Sequence, residues 1–140
     1  MRDILFRGKQ VDNGEWVFGD FGRSVEYYDN GGVEHLFREG EIQLSYIAPL
    51  SEMAILVIPS TVGQYTGLKD KNGKEICEGD IVRHSLFKQD YKFLVKYFEE
   101  SASFRYCSGA TQFTFDSVHC KYFEIIGNIH DNPELLEVKD

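Results

Sequence analysis

A mainly β fold is predicted by three features of the chain, with a strand-rich α+β arrangement left open by its tail. Short stretches of alternating apolar and polar residues recur at intervals of roughly ten residues, the spacing of small sandwiches and barrels. Thirteen glycines against three prolines supply many positions for tight turns and close backbone approach. Eleven Phe, eight Tyr and one Trp give enough bulky strand-forming side chains to fill a core. At 140 residues the chain suits one domain, or two small lobes sharing a core. The expected plan is an N-terminal β-hairpin lobe over residues 1–60, then an SH3-like small barrel over residues 61–140 that ends in a short helical turn. Pro59-Ser60 is the expected seam.

Ile4 to Val11 begins apolar and then alternates, Asp12-Asn13-Gly14 is a turn, and Glu15 to Phe21 runs back, so the first element is a hairpin. Trp16 and Phe18 share one face of its second strand and Val17 takes the other. Apolar residues on both faces predict a strand covered on each side, or by another subunit. Ser24 to Tyr28 and Val33 to Phe37 flank the turn cluster Asp29-Asn30-Gly31-Gly32 and predict a second hairpin. Ile42 to Ile47 alternates cleanly. Ser51 to Leu56 could form one helical turn, but Ile55 to Ile58 reads better as a buried strand.

The densest run of backbone-special residues is Gly63 to Val82, the stretch around which the rest is organised. Asn72-Gly73 is the two-residue loop that a type I′ turn prefers, since both central residues must take positive φ. Gly79-Asp80 forms a second corner, where Asp80 is expected to accept backbone N–H bonds. The series Asn13-Gly14…Gly19-Asp20 echoes Asn72-Gly73…Gly79-Asp80, and repeated use of turn residues explains the echo better than duplication. Ile81 to His84, Phe93 to Phe98, Ser103 to Tyr106, Gln112 to Phe115 and Tyr122 to Ile129 complete the strands, with Ser85 to Tyr91 as a loop. In the tail, Asp131 or Asn132 can cap, Pro133 suits the first helical position, and Glu134 places an acid near the positive end.

Composition narrows the function classes. The balance of 23 acidic to 15 basic residues, a formal charge of −8, opposes non-specific binding to phosphate backbones. Local basic groups remain at Arg2, Arg7 and Lys9 and at Lys69, Lys71 and Lys74, read as solvated strand-edge and turn charges. Three cysteines, Cys77, Cys107 and Cys120, make neither a complete disulfide set nor a Cys-x-x-Cys pair. The first residues form too short an apolar run for a signal peptide, and the run from Met53 to Pro59 is far below the roughly 20 residues of a membrane helix. The expected location is a reducing cytosol, with no membrane partner.

No catalytic, cofactor or metal set is expected. His119 and Cys120 are adjacent and would point to opposite faces of a strand, so they do not suit one zinc ion. Acidic neighbours Glu78 and Asp80 suppress a Cys77 thiolate, which suits an inward-facing strand residue. Gly63-x-x-x-Gly67 lacks the Gly-Lys-Ser/Thr and the following helix of a phosphate cradle. The carboxylates Glu78 and Asp80, Glu99 and Glu100, and Asp131, Glu134 and Glu137 read as solvated turn residues. Tyr27, Tyr28, Tyr91, Tyr97, Tyr106 and Tyr122 could stack on single-stranded nucleic acid, but packing in a core or a subunit interface suits an acidic chain better.

Several blocks together resemble the YopX family, small proteins of bacteriophages and prophages. They are Ile4-Leu5-Phe6-Arg7-Gly8-Lys9; Gly14-x-Trp16-Val17-x-Gly19; Thr61 through Ile76 with Glu78-Gly79-Asp80-Ile81-Val82; and Ile126-Gly127-Asn128-Ile129 with Asn132-Pro133-Glu134-Leu135-Leu136. The stretch from about Arg23 to Pro59 carries no matching block. The signature positions are Gly8, Trp16, Gly19, Gly63, Tyr65, Gly67, Asp70, Asn72, Gly73, Gly79, Asp80, Gly127 and Asn128. Cys77 stands where an aromatic is expected and His130 where Tyr is usual. The resemblance implies a cytoplasmic accessory protein with no assigned activity, no catalytic residues to carry over, and assembly into a homo-oligomer. A host or phage protein is the other expected partner, and nucleic-acid binding through a local basic and aromatic face is the alternative.

Overall fold

The structure is a computed structural model that describes residues 5–24, 44–48, 55–86, 91–109, 111–114 and 120–136. Its strands are β1 (Phe6–Lys9), β2 (Trp16–Ser24), β3 (Leu44–Ala48), β4 (Ile55–Val57), β5 (Gly63–Lys69), β6 (Glu75–Cys77), β7 (Asp80–His84), β8 (Lys92–Phe98), β9 (Ser103–Ser108), β10 (Thr111–Thr114) and β11 (Phe123–Asn128). Short 3-10 turns occupy Pro59–Thr61, Cys120–Tyr122 and Pro133–Leu136, and no α-helix occurs among the described residues. The fold is mainly β. The hairpin expected over Ser24 to Phe37 and the helical turn considered from Ser51 lie largely outside the described residues. Two compact units divide the chain, Ile4–Val62 and Gly63–Asp140.

In the first unit the long strand β2 changes partner midway. Trp16 to Gly19 pair with β1, and Asp20 to Ser24 pair with β3. The strand β3 then pairs with β4, which returns to the end of β1: Ile58 N donates to Lys9 O at 2.8 Å and Val11 N to Leu56 O at 3.1 Å. The unit is tight at this return, because a Cβ on Gly8 would stand 3.0 Å from Val57 Cβ. The 3-10 turn after β4 is tied to the same strand by Thr61, whose Oγ1 accepts from Lys9 N at 2.9 Å and donates to Ile58 O at 2.6 Å.

In the second unit β5 and β6 form a hairpin and the remaining strands form a sheet in the order β10-β9-β8-β7-β11. This sheet is open, with β10 and β11 at its two edges, so the closed SH3-like barrel is absent among the described residues. Strand spacing reports the number of strands, whereas closure depends on non-local pairing that spacing does not encode. One face buries Val82, Phe93, Val95, Tyr106 and Phe123 with Ile76 from the hairpin. The Tyr106 and Phe123 rings stack at 3.7 Å between centroids, and Phe93 meets Phe123 edge-on at 6.1 Å. Each such side chain contributes about 1.5–3 kcal/mol when removed from water.

The turn between β5 and β6 departs from the two-residue type I′ expectation. Gly73 has φ +81°, but Asn72 does not take positive φ, since Ala102 is the only non-glycine that does among the described residues. Gly73 N donates to Asp70 O at 3.0 Å and Asp70 N to Lys74 O at 2.8 Å. These bonds define a three-residue loop, a tight turn followed by one left-handed residue. The cause is Asp70, whose Oδ1 accepts from Asn72 N and Lys74 N, each at 2.9 Å. A carboxylate serving both amides holds the loop in the right-handed form up to Asn72.

Candidate functional site

The signature residues of the second unit converge on the base and tip of the β5–β6 hairpin. At the tip, Asp70 is 5% exposed. Its second oxygen, Oδ2, accepts from Ile125 N on β11 at 3.0 Å. The neighbouring Lys71 N donates to Phe123 O at 2.9 Å, and Lys71 Nζ lies 3.5 Å from Glu124 Oε2. Arg83 Nη2 donates to the same carboxylate at 2.8 Å. That bond, against the opposing effect of desolvation, holds the Glu124 carboxyl below its ordinary value, with Lys71 adding to the effect. One aspartate therefore shapes its own turn and fastens it to a strand 55 residues away.

At the base, Asp80 is 1% exposed and its Oδ2 accepts from Cys77 N at 2.7 Å. Gly79 between β6 and β7 has φ +91°, a region closed to most side chains. Its N–H donates to Val95 O and its carbonyl accepts from Ile129 N, both at 2.9 Å, so this one residue joins β8 to the end of β11. Gly63 lies against the same corner: a Cβ there would stand 2.6 Å from Glu78 O. Only glycine fits. Glu78 N donates to Gln64 O at 2.9 Å and Gln64 N to Glu78 Oε1 at 3.2 Å.

Asn128 stands opposite Asp80 in the β11–β7 register, and Gly127 stands opposite Ile81 just after a bulge. Asn128 Oδ1 accepts from His130 N at 3.0 Å and Asp131 N at 2.9 Å. Of the two candidate caps of the tail, Asp131 and Asn132, Asn132 turns its Oδ1 instead to Asn128 N, accepting at 3.3 Å, and a Cβ on Gly127 would lie 2.6 Å from that oxygen. Asn132 thus folds the tail back over Gly127. Its proximity in sequence to Asn128 was the available signal for this role. Tyr65 is buried, and Gly67 has φ +90° within the register shift between Tyr65 and Lys69.

The other signature residues belong to the first unit. Gly8 packs on Val57, Gly19 is buried opposite Phe6, and Trp16 is half-buried under two cations. Arg7 Cζ is 4.7 Å and Lys9 Nζ 5.9 Å from the Trp16 ring centroid.

Candidate reactive groups are dispersed. Cys77 is fully buried, while Cys107 and Cys120 are partly buried. Burial pushes the Cys107 thiol up, opposed by Lys96 and Arg105. Cys120 lies in a 3-10 turn, not in a strand, and His119 lies outside the described residues. Among the described residues no group of three or more His, Cys, Asp or Glu could hold a metal ion, and no helix is long and apolar enough to cross a membrane. One array escaped sequence reading: Lys96 and Arg105 stand directly opposite across β8 and β9. Arg105 Nη1 donates to Gln112 Oε1 at 3.0 Å and its Cζ lies 5.2 Å from the Phe98 centroid. Register between strands creates this array, and linear spacing does not display it.

The chain is similar to the crystal structure of protein EF1440 from Enterococcus faecalis, with TM-score 0.56 and 23% identity over 98% of this chain and 100% of that one. That likeness shows the fold. No curated protein matches the chain. The family model described as YopX protein matches residues 5–137, a span that takes in both hairpins, the Asp80 corner and the Asn128 turn, and the chain belongs to the YopX family.

Proposed function

We propose that this is a non-enzymatic accessory protein of phage or prophage origin that acts in the bacterial cytosol through protein–protein contacts, as a homo-oligomer. The observation that carries the reading is how its polar and aromatic groups are used. Asp70, Asp80 and Asn128 direct their oxygens at backbone N–H groups. Meanwhile Tyr91, Tyr97, Phe18 and Phe113 are 52%, 43%, 39% and 37% exposed. Polar side chains that build backbone geometry and aromatics that keep exposed area suit a scaffold for contacts. A host or phage protein is the second partner class.

The test is light scattering on the purified protein with a pull-down from phage-bearing and phage-free cells, with and without nuclease. The expected result is a species larger than 16.1 kDa and a nuclease-resistant partner. A monomer without a protein partner would contradict the reading. The alternative of nucleic-acid binding draws on Arg7 and Lys9 beside Trp16, but Arg7 is 8% exposed and already stacked on that ring. Flat oligonucleotide binding curves at low salt would remove that alternative.

A further inference from the structure

We propose that the tip of the β8–β9 hairpin is a self-complementary contact between two copies of the chain, in which Lys96 and Arg105 of each copy meet Glu99 and Glu100 of the other. The inference rests on the homo-oligomer reading above and names its surface.

Two cations directly opposite each other across a strand pair repel, and that is the position of Lys96 and Arg105. They project from the face opposite the Val95–Tyr106 core, because residues alternate between faces along a strand. Arg105 is fixed by the Gln112 side chain and the Phe98 ring. Neither contact supplies a negative charge. Lys96 is exposed. The array is therefore oriented for an anionic partner.

The same hairpin also carries the complement. Glu99 and Glu100 are exposed in the turn that follows β8, one and two residues beyond Phe98. Ala102 N donates to Glu99 O at 3.3 Å and Ala102 has φ +48°, so the acidic turn is shaped by a residue in a sparsely populated conformation. Phe98, partly exposed, lies between the basic and the acidic pair. A twofold axis near Phe98 would place each basic pair on the other copy's acidic pair and bring the two rings together, an isologous contact with an aromatic centre and a charged rim. A polyanion such as nucleic acid fits less well, since Glu99 and Glu100 would repel it. For a chain of net charge −8, a locally basic surface offsets the repulsion between copies, and this array provides one.

Charge reversal tests the contact. Sedimentation velocity would be run on wild type, on Lys96→Glu/Arg105→Glu, on Glu99→Lys/Glu100→Lys, and on an equimolar mixture of the two variants, with circular dichroism to confirm folding. Lys96→Glu alone, at an exposed position, serves if Arg105→Glu disturbs the sheet. The expected result is that each variant alone associates at least tenfold more weakly than wild type, and that the mixture recovers association. A wild-type oligomer that neither reversal weakens, or a mixture that fails to recover, would overturn this contact while leaving the homo-oligomer reading intact. A wild type that stays monomeric at every concentration would overturn both.

Discussion

Two turns of this chain carry the same Asn-Gly pair, at Asn13-Gly14 and at Asn72-Gly73, and the structure uses them differently. The first is closed by Gln10 N to Glu15 O at 2.9 Å, Gly14 N to Gln10 O at 3.0 Å and Glu15 N to Asn13 Oδ1 at 2.9 Å, and only a backbone bond, Val11 N to Leu56 O at 3.1 Å, ties it to β4. Two residues before its asparagine stands Val11, half exposed. At the corresponding place the second turn has Asp70, which serves two amides of its own loop and one of β11. The following Gly-Asp pairs diverge as well. Gly19-Asp20 lies inside β2 with Asp20 exposed, whereas Gly79-Asp80 turns a corner with Asp80 buried. The echo is one of turn composition. A single carboxylate two residues upstream separates a turn tied to a neighbouring strand by backbone alone from one anchored also by a buried side chain.

Replacing that carboxylate is the largest way to test the contrast. Asp70→Ala leaves three amides without their acceptor and is expected to cost about 3 kcal/mol or more, given about 1.5–3 kcal/mol for a hydrogen bond to a charged group. Asn13→Ala removes one exposed bond and should cost at most about 0.5 kcal/mol. Urea midpoints would measure both, and equal losses would remove the distinction.

The aspartates of the two Gly-Asp pairs come next. Asp80→Ala is expected to cost about 2 kcal/mol through the buried amide of Cys77, while Asp20→Ala should stay within about 0.5 kcal/mol. Thermal melts of both variants would show whether burial separates them.

Where the turns share local geometry they should respond alike. Gly14 and Gly73 have φ of +70° and +81° with open space around the missing Cβ, so Gly→Ala should cost about 1–2 kcal/mol at each. A difference above about 1 kcal/mol would mean that the Asp70-anchored loop resists strain differently from the first.

The smallest expected effect is ionic. The Glu124 carboxyl, next to the anchored turn, is held below its ordinary value of 4.5, chiefly by the Arg83 hydrogen bond. A carboxyl with a lowered folded value stabilises the fold fully above its unfolded value and loses that contribution as pH falls through the folded one. Stability should therefore decline slightly on acidification below about pH 4.5, and Arg83→Met should flatten that part of the profile. Urea titrations between pH 3 and 6 would detect it, and an unchanged slope in the variant would assign the decline to other carboxylates.

Much of the strand pattern was legible in the sequence because alternation and turn residues are local. Phe93 to Phe98 and Tyr122 to Ile129 read correctly as strand-bearing segments, although the second begins with a 3-10 turn before Phe123. What failed was non-local. Type I′ geometry at Asn72-Gly73 follows from the dipeptide alone, but Asp70 redirects the loop from two residues away. Barrel closure depended on partners for β10 and β11 that no spacing encodes. In the candidate site, Asp80 as an acceptor was expected from its corner, whereas the reach of Asp70 to Ile125 required β11 to lie beside the turn. The basic pair Lys96 and Arg105 was hidden for the same reason, since only the β8–β9 register places them opposite each other.

The central claim is that Asp70 makes the signature turn part of the second unit's folded body. Amide hydrogen exchange followed by NMR tests it most directly, comparing Asn72, Lys74 and Ile125 with Glu15. The account predicts that the first three amides exchange only through opening of the unit, far more slowly than Glu15, and that Asp70→Ala accelerates them selectively. Exchange at Asn72, Lys74 and Ile125 as fast as at Glu15 in the wild type would contradict it.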